Sequence, residues 1–148
     1  MVHMSWHQSH CDLYRIFMDG YSEAAPSSAL AYIHPSERVR MQQRCLEHAE
    51  GIIRILTDFV NHGKSDCLLE RDTAVCAFES ARIVLFHSRM SSEGSVSDAA
   101  MTKTRTCLHI ITNYFRSSAP IQMTVSPASR ILVMCFADVP NSGRNLNA

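Results

Sequence analysis

Apolar residues recur at three- and four-residue steps along most of the chain, the period of helices that lay one face on a core. The first such segment runs from about Ser5 to Asp19, with Trp6, His10, Leu13 and Phe17 on one stripe and Gly20 as a natural stop. A loop from Tyr21 to Pro35 follows, rich in Ala, Ser and Pro, in which Pro26 and Pro35 disfavour helix in the residue before each. A second, long helix is expected from Ser36, with Ser36 as its cap and Glu37 in the first turn, where the helix dipole favours an acid. Its stripe is Leu46, Ala49, Ile53, Leu56 and Val60, widened by Ile52 and Phe59, and Gly63 is its stop.

A third helix is expected from about Ser65 to Met90, with Ala74, Phe78, Ala81 and Leu85 in line. Val75, Ile83, Val84 and Phe86 make it apolar over much of its circumference, which suits a helix at the centre of a bundle. Ser91–Ser95 reads as a loop, and a fourth helix as running from about Ser97 to Ser117 with Leu108, Ile111 and Phe115 as its stripe. The fold class this predicts is all-α: a bundle or array of about four main helices, as part of a larger helical domain. Residues 1–126 form the helical part and residues 127–148 a mostly irregular tail. Ile121–Val125 reads as extended but has no clear partner strand. The core is expected to centre on Trp6, Leu13, Phe17, Leu46, Ile53, Leu56, Phe78, Leu85, Leu108 and Phe115.

Composition narrows the class. The chain has 148 residues, enough for one domain with a real core, and its 46% hydrophobic and 19% charged content is that of a globular chain. The formal net charge is zero, which argues against autonomous DNA binding, since phosphate neutralisation needs a basic excess. Arg nevertheless outnumbers Lys twelve to two, and Arg suits fixed pairing and interfaces. No signal peptide and no membrane-spanning segment are expected; the most apolar run, Ile131–Ala137, is short. Cysteines at 11, 45, 67, 76, 107 and 135 form no CxxC pair and mostly fall within apolar helical patterns, so they read as reduced, buried thiols of an intracellular protein.

Several clusters carry candidate chemistry. His7, His10, Cys11 and Asp12 are metal-capable types, and His7 and Cys11 have the i, i+4 spacing that places two ligands on one face; the ordinary alternative is a polar helix edge. Cys45 and His48, one turn apart and flanked by Glu47 and Glu50, are the types of a nucleophile and its base, but no orienting group or oxyanion donor accompanies them. Glu79 and Arg82, i, i+3 on an apolar helix, call for an ion pair or a bridge to a neighbouring helix, the alternative being polar anchoring of an effector. Arg38, Arg40 and Arg44 make a basic edge offset by Glu37, Glu47 and Glu50. Trp6, Tyr14, Phe17, Phe59, Phe78, Phe86, Tyr114 and Phe115 would serve either as core or as the lining of a pocket between helices. No catalytic, cofactor-binding or metal-binding residue is assigned, and an enzyme is not expected.

Three stretches resemble the regulatory middle region of fungal Zn2Cys6 binuclear-cluster transcription factors. They are Trp6-His7-Gln8-Ser9-His10-Cys11-Asp12-Leu13-Tyr14-Arg15, Gly20-Tyr21-Ser22-Glu23-Ala24-Ala25-Pro26, and Val75-Cys76-Ala77-Phe78-Glu79-Ser80-Ala81-Arg82-Ile83-Val84-Leu85-Phe86. Cys45-Leu46-Glu47-His48-Ala49 lies between them on the long helix, and the resemblance covers roughly residues 5–118. It implies a nuclear regulator of transcription by RNA polymerase II, whose helical middle region restrains or tunes activity, in some members by sensing a small-molecule effector. DNA contact in that family comes from a separate N-terminal cluster of six cysteines holding two zinc ions; this chain lacks the CxxC pattern and the basic linker. The chain is therefore expected to be a fragment or truncated product with no cofactor of its own and no direct DNA contact, partnered by protein or by itself. The alternatives are a stand-alone helical interaction protein that binds or inhibits a full-length relative, and a small Cys-His hydrolase.

Overall fold

The computed structural model of the chain describes residues 2–62, 71–91 and 95–114. The fold is all-α, with no strand among the described residues. Helix α1 spans Val2–Tyr14 and tightens into a 3-10 turn at Arg15–Phe17; α2 is the single turn Ser27–Leu30; α3 spans Pro35–His62, α4 Arg71–Ser91 and α5 Asp98–Tyr114. The expected extended segment at 121–125, the tail at 127–148, Gly63, Phe115 and the starting turn of the third helix at 65–70 lie outside the described residues.

Helix α3 is the axis. At 28 residues it is about 42 Å long at 1.5 Å per residue, and it packs against α1, the 3-10 turn, α4 and α5. Its buried face is Cys45, Ala49, Gly51, Ile52, Ile53 and Leu56, close to the stripe read from the sequence; Leu46, Phe59 and Val60 are half-buried at its margins. The helix opens on Pro35, whose fixed φ and missing N–H suit a first helical position. The start falls one residue before the expected Ser36. His34, not Ser36, meets the exposed amides: its Nδ1 accepts from the Ser36 N–H at 3.3 Å and lies 2.7 Å from the Ser36 hydroxyl.

Helices α4 and α5 pack along each other and both reach α3. In α4, Ala74, Ala77, Ala81, Ile83, Val84 and Leu85 are buried, whereas Phe78 is only half-buried and Val75 is exposed. Ser97 begins α5 by accepting the Ala100 N–H at 3.3 Å, while the Ser88 hydroxyl of α4 accepts the Ser97 N–H at 2.8 Å, which ties the two helices together at the turn. Ile110, Ile111 and Cys107 carry the buried face of α5, with Leu108 half-buried.

Helix α1 differs most from expectation. Trp6 is 52% exposed and Leu13 56%, so the Trp6–Leu13 stripe is not the core face. The face on α3 carries Met4 and Cys11 instead, continued by Met18 just past the 3-10 turn, with His7 and Tyr14 beside them. The helix is set by close approach: the His7 ring lies against Gly51, where a Cβ would stand 2.4 Å from Cε1. That contact turns the bulkier Trp6 and Leu13 outward. Chain reversal after the 3-10 turn uses Gly20 at φ +83°, a conformation that favours glycine. The loop that follows contains α2, which the Pro spacing had concealed; Leu30 on it is buried.

Candidate functional site

Two side-chain clusters stand out, and both join α1 to elements distant in sequence. The first is a polar network at the loop after α1. Glu79 of α4 receives Arg15 from the 3-10 turn after α1 at 3.2 Å and Arg82 from its own helix at 3.0 Å. Arg82 also reaches Glu23 at 3.4 Å and the Ser22 hydroxyl at 2.6 Å, and Ser22 in turn donates to Glu23. Arg15 is further paired with Asp12 at 3.2 Å. The Arg82 guanidinium lies 5.1 Å from the Tyr21 ring centroid and 5.6 Å from that of Phe78, so its planar cation is sandwiched among apolar surfaces while its edge is bonded.

The electrostatics follow from that geometry. Burial works against ionisation of Glu23, but the Ser22 hydroxyl and the Arg82 charge outweigh it and hold the carboxyl below its ordinary range. Burial likewise opposes the charge of Arg82, and Tyr21, Glu79 and Glu23 together reverse it and push its pKa up. The Tyr21 phenol is raised, chiefly by burial, and its hydroxyl is buried without a hydrogen-bond partner. Glu79 is only 15% exposed, so it is the anchor on which two arginines depend.

The second cluster lies where α1 crosses α3. His7 Nδ1 and His48 Nδ1 are 3.0 Å apart, one ring donating and the other accepting. His10 stacks on His48 at 4.4 Å between centroids, and Trp6 lies 4.3 to 5.0 Å from all three imidazoles. Tyr14 closes the group, 6.0 Å from His48. Below it Cys11 and Cys45 are fully buried and exchange weak bonds, each Sγ donating to the other's carbonyl oxygen, at 3.8 and 3.7 Å.

These partners redistribute the residues singled out from sequence. His7 meets His48, not Cys11, whose sulfur faces the α3 backbone and whose pKa is raised by the neighbouring Cys45 thiol and by burial. Cys45 and His48 point to different partners, which separates the expected nucleophile from its base. Asp12 serves Arg15 and Gln8. Glu50 binds Lys103 of α5. Arg38 pairs with Asp19 at 3.2 Å and Arg40 with Glu37, so two of the three basic-edge residues are locally matched. The Glu79–Arg82 pair is present as read, but its extension to Arg15 and Glu23 had no signal in the sequence beyond the residue types.

The described cysteines are spread along the fold. The four described thiols, Cys11, Cys45, Cys76 and Cys107, sit on four different helices, and burial holds Cys76 up at about 11 and Cys107 at about 12. Among the described residues no three His, Cys, Asp or Glu side chains are placed to hold a metal ion.

Of the expected aromatic set, Trp6 and Tyr14 stand in the histidine cluster and Phe78 beside Arg82, while Phe86 meets Tyr21 edge-on; Phe115 and the Tyr114 side chain lie outside the description. A groove of about 330 Å³ between α3 and the end of α4 is lined by Met18, Val39, Phe86 and Met90, with Asp19, Gln42, His87 and Ser91 at its polar edge. It is at the small end of the range for ligand sites. Of the residues lining it, only Phe86 belonged to the expected aromatic set. Among the described residues no helix is long and apolar enough to cross a membrane. Compared with known proteins, the chain matches no family model, no curated protein and no solved structure.

Proposed function

We propose that this chain is a regulatory helical unit of a transcription factor of the Zn2Cys6 type, acting in the nucleus on transcription by RNA polymerase II without itself touching DNA. The observation that supports the reading is the polar network. Arg15, Ser22 with Glu23, and Glu79 with Arg82 come from the three separate stretches that carry the family resemblance, and they bond to one another in one place. Residues 60 apart in sequence are thus parts of one structural device, as stretches of a single regulatory region would be. Such a unit works by contact: it holds an activating segment or a partner protein until a signal shifts its helices.

The test places the full 148-residue chain between a heterologous DNA-binding module and an activation segment and reads a reporter gene. Output several-fold below that of an inert helical bundle of equal size is expected, with Glu79→Gln relieving the restraint. Equal output from the two fusions overturns the reading.

A second reading, a stand-alone interaction protein, is favoured by one feature. Trp6 and Leu13 on α1 and Ile16 in the 3-10 turn are exposed, and large apolar side chains on a helix's outer side offer a surface to another protein. Its test is co-purification with a full-length relative carrying the zinc cluster.

A further inference from the structure

We propose that His7 and His48, with His10 packed beside them, form a proton-operated latch that holds α1 on α3 when the pair is neutral and releases it when both rings take up protons. The geometry sets the rule. A 3.0 Å contact between two Nδ1 atoms requires one of them to be unprotonated, because two N–H groups facing each other bond to nothing and repel. His10 stacks on His48 at 4.4 Å between centroids and crowds the pair on its outer side. Its own Nδ1 is 2.8 Å from the Trp6 carbonyl oxygen, which keeps the ring in place beside the pair.

The surroundings do not offset such charge. His3, Arg44 and Arg54 act on the pair from α1 and α3 with the same sign, and Glu47 opposes them. The other acids near the seam are engaged elsewhere: Asp12 by Arg15, Glu50 by Lys103 of α5, and Glu79 of α4 by Arg15 and Arg82. Retreat within the docked state is blocked on one side, since the His7 ring already rests on the bare backbone of Gly51. Relief therefore comes from separating the helices. Burial and the neighbouring positive charges lower the pKa of both His7 and His48 below the ordinary 6.5.

The sign follows from linkage. The released state binds more protons than the docked one, so the latch is at full strength above about pH 6.5 and weakens as pH falls below it. Each extra proton taken up on release shifts the docked-to-released ratio about tenfold per pH unit, and two protons shift it about a hundredfold. Helix α1 packs chiefly on α3, so it can leave while α3, α4 and α5 stay together.

Trp6, the one tryptophan of the chain, stands inside the cluster and reports on it directly. The experiment follows Trp6 emission of the full chain from pH 8 to pH 5. In parallel it measures labelling of Cys11 and Cys107 by a pyridyl disulfide, which reacts with thiols in acid, normalised to the unfolded chain and mapped by peptide mass. The expected result is an emission transition below pH 6.5 that is steeper than one proton. Cys11 labelling rises at least tenfold per pH unit through it while Cys107 in α5 stays protected. In His48→Gln the transition flattens, whereas His87→Gln, remote from the cluster, titrates like the wild type. Joint exposure of Cys11 and Cys107, or an unchanged transition in His48→Gln, overturns the latch. Should His48→Gln not fold, imidazole proton shifts of the wild type decide: His7 and His48 titrating at 6.5 or above overturn it, and values below 6.5 for both sustain it.

Discussion

Replacing Gly51 by alanine tests whether α1 is seated as described. In an ordinary helix interior the change removes backbone freedom from the unfolded chain and gains about 1 kcal/mol. At Gly51 the added methyl would stand 2.4 Å from His7 Cε1, 2.7 Å from Nδ1 and 2.9 Å from Nε2, so the ring must retreat by about 1 Å to reach ordinary contact. Retreat breaks the 3.0 Å bond to His48, costing about 0.5–1.5 kcal/mol, and leaves either an off-rotamer ring or a displaced helix, costing about 1–2 kcal/mol more. The net expectation is a loss of about 1 kcal/mol. In a His7→Ala background the clash is gone, and Gly51→Ala should stabilise by about 1 kcal/mol. Urea denaturation of the four proteins in the cycle, at pH 8 where the imidazoles are neutral, measures a coupling of about 2 kcal/mol between positions 7 and 51. A stabilising Gly51→Ala in the wild-type background, or a coupling below about 0.5 kcal/mol, would refute the seating of His7 on α3.

The polar network yields two further expectations. Tyr21→Phe removes a buried hydroxyl that has no partner and should leave stability unchanged or raise it by up to about 1 kcal/mol; a loss beyond about 1 kcal/mol in chemical denaturation would mean that the hydroxyl is bonded. Glu79→Gln keeps the shape but removes the charge shared by Arg15 and Arg82, and should cost about 1–3 kcal/mol, since all three side chains are largely shielded from water; a change under about 0.5 kcal/mol would show that the network contributes nothing net.

The all-α class and the long axis were legible because α3 carries its core at regular steps: Ala49, Ile52, Ile53 and Leu56 are apolar in sequence and buried in the fold. Helix α1 was not legible in the same way. Its buried positions are Met4 and Cys11, weaker markers than Trp6 and Leu13, and the deciding contact is made by a glycine more than forty residues away. Local periodicity ranks side chains by apolarity, while the approach of two backbones ranks them by fit, and the second prevailed. The Glu79–Arg82 pair was readable from its i, i+3 spacing, but Arg15 and Glu23 join it only through the turn at Gly20. The His7–His48 contact had no sequence signal, since each residue had been paired with a nearer cysteine.

Each long helix carries one fully or nearly buried thiol: Cys11 on α1, Cys45 on α3, Cys76 on α4 and Cys107 on α5. The fold has thereby labelled its own parts. A sulfur that reacts only when its helix opens converts the rate of modification under native conditions into the free energy of that opening, in the manner of hydrogen exchange but with four chemically identical reporters. Cys11 and Cys45 share one seam and should share one opening, whereas Cys76 and Cys107 report on the α4–α5 side. The order in which the four thiols become reactive is therefore a map of which helices come apart independently and which only with the whole.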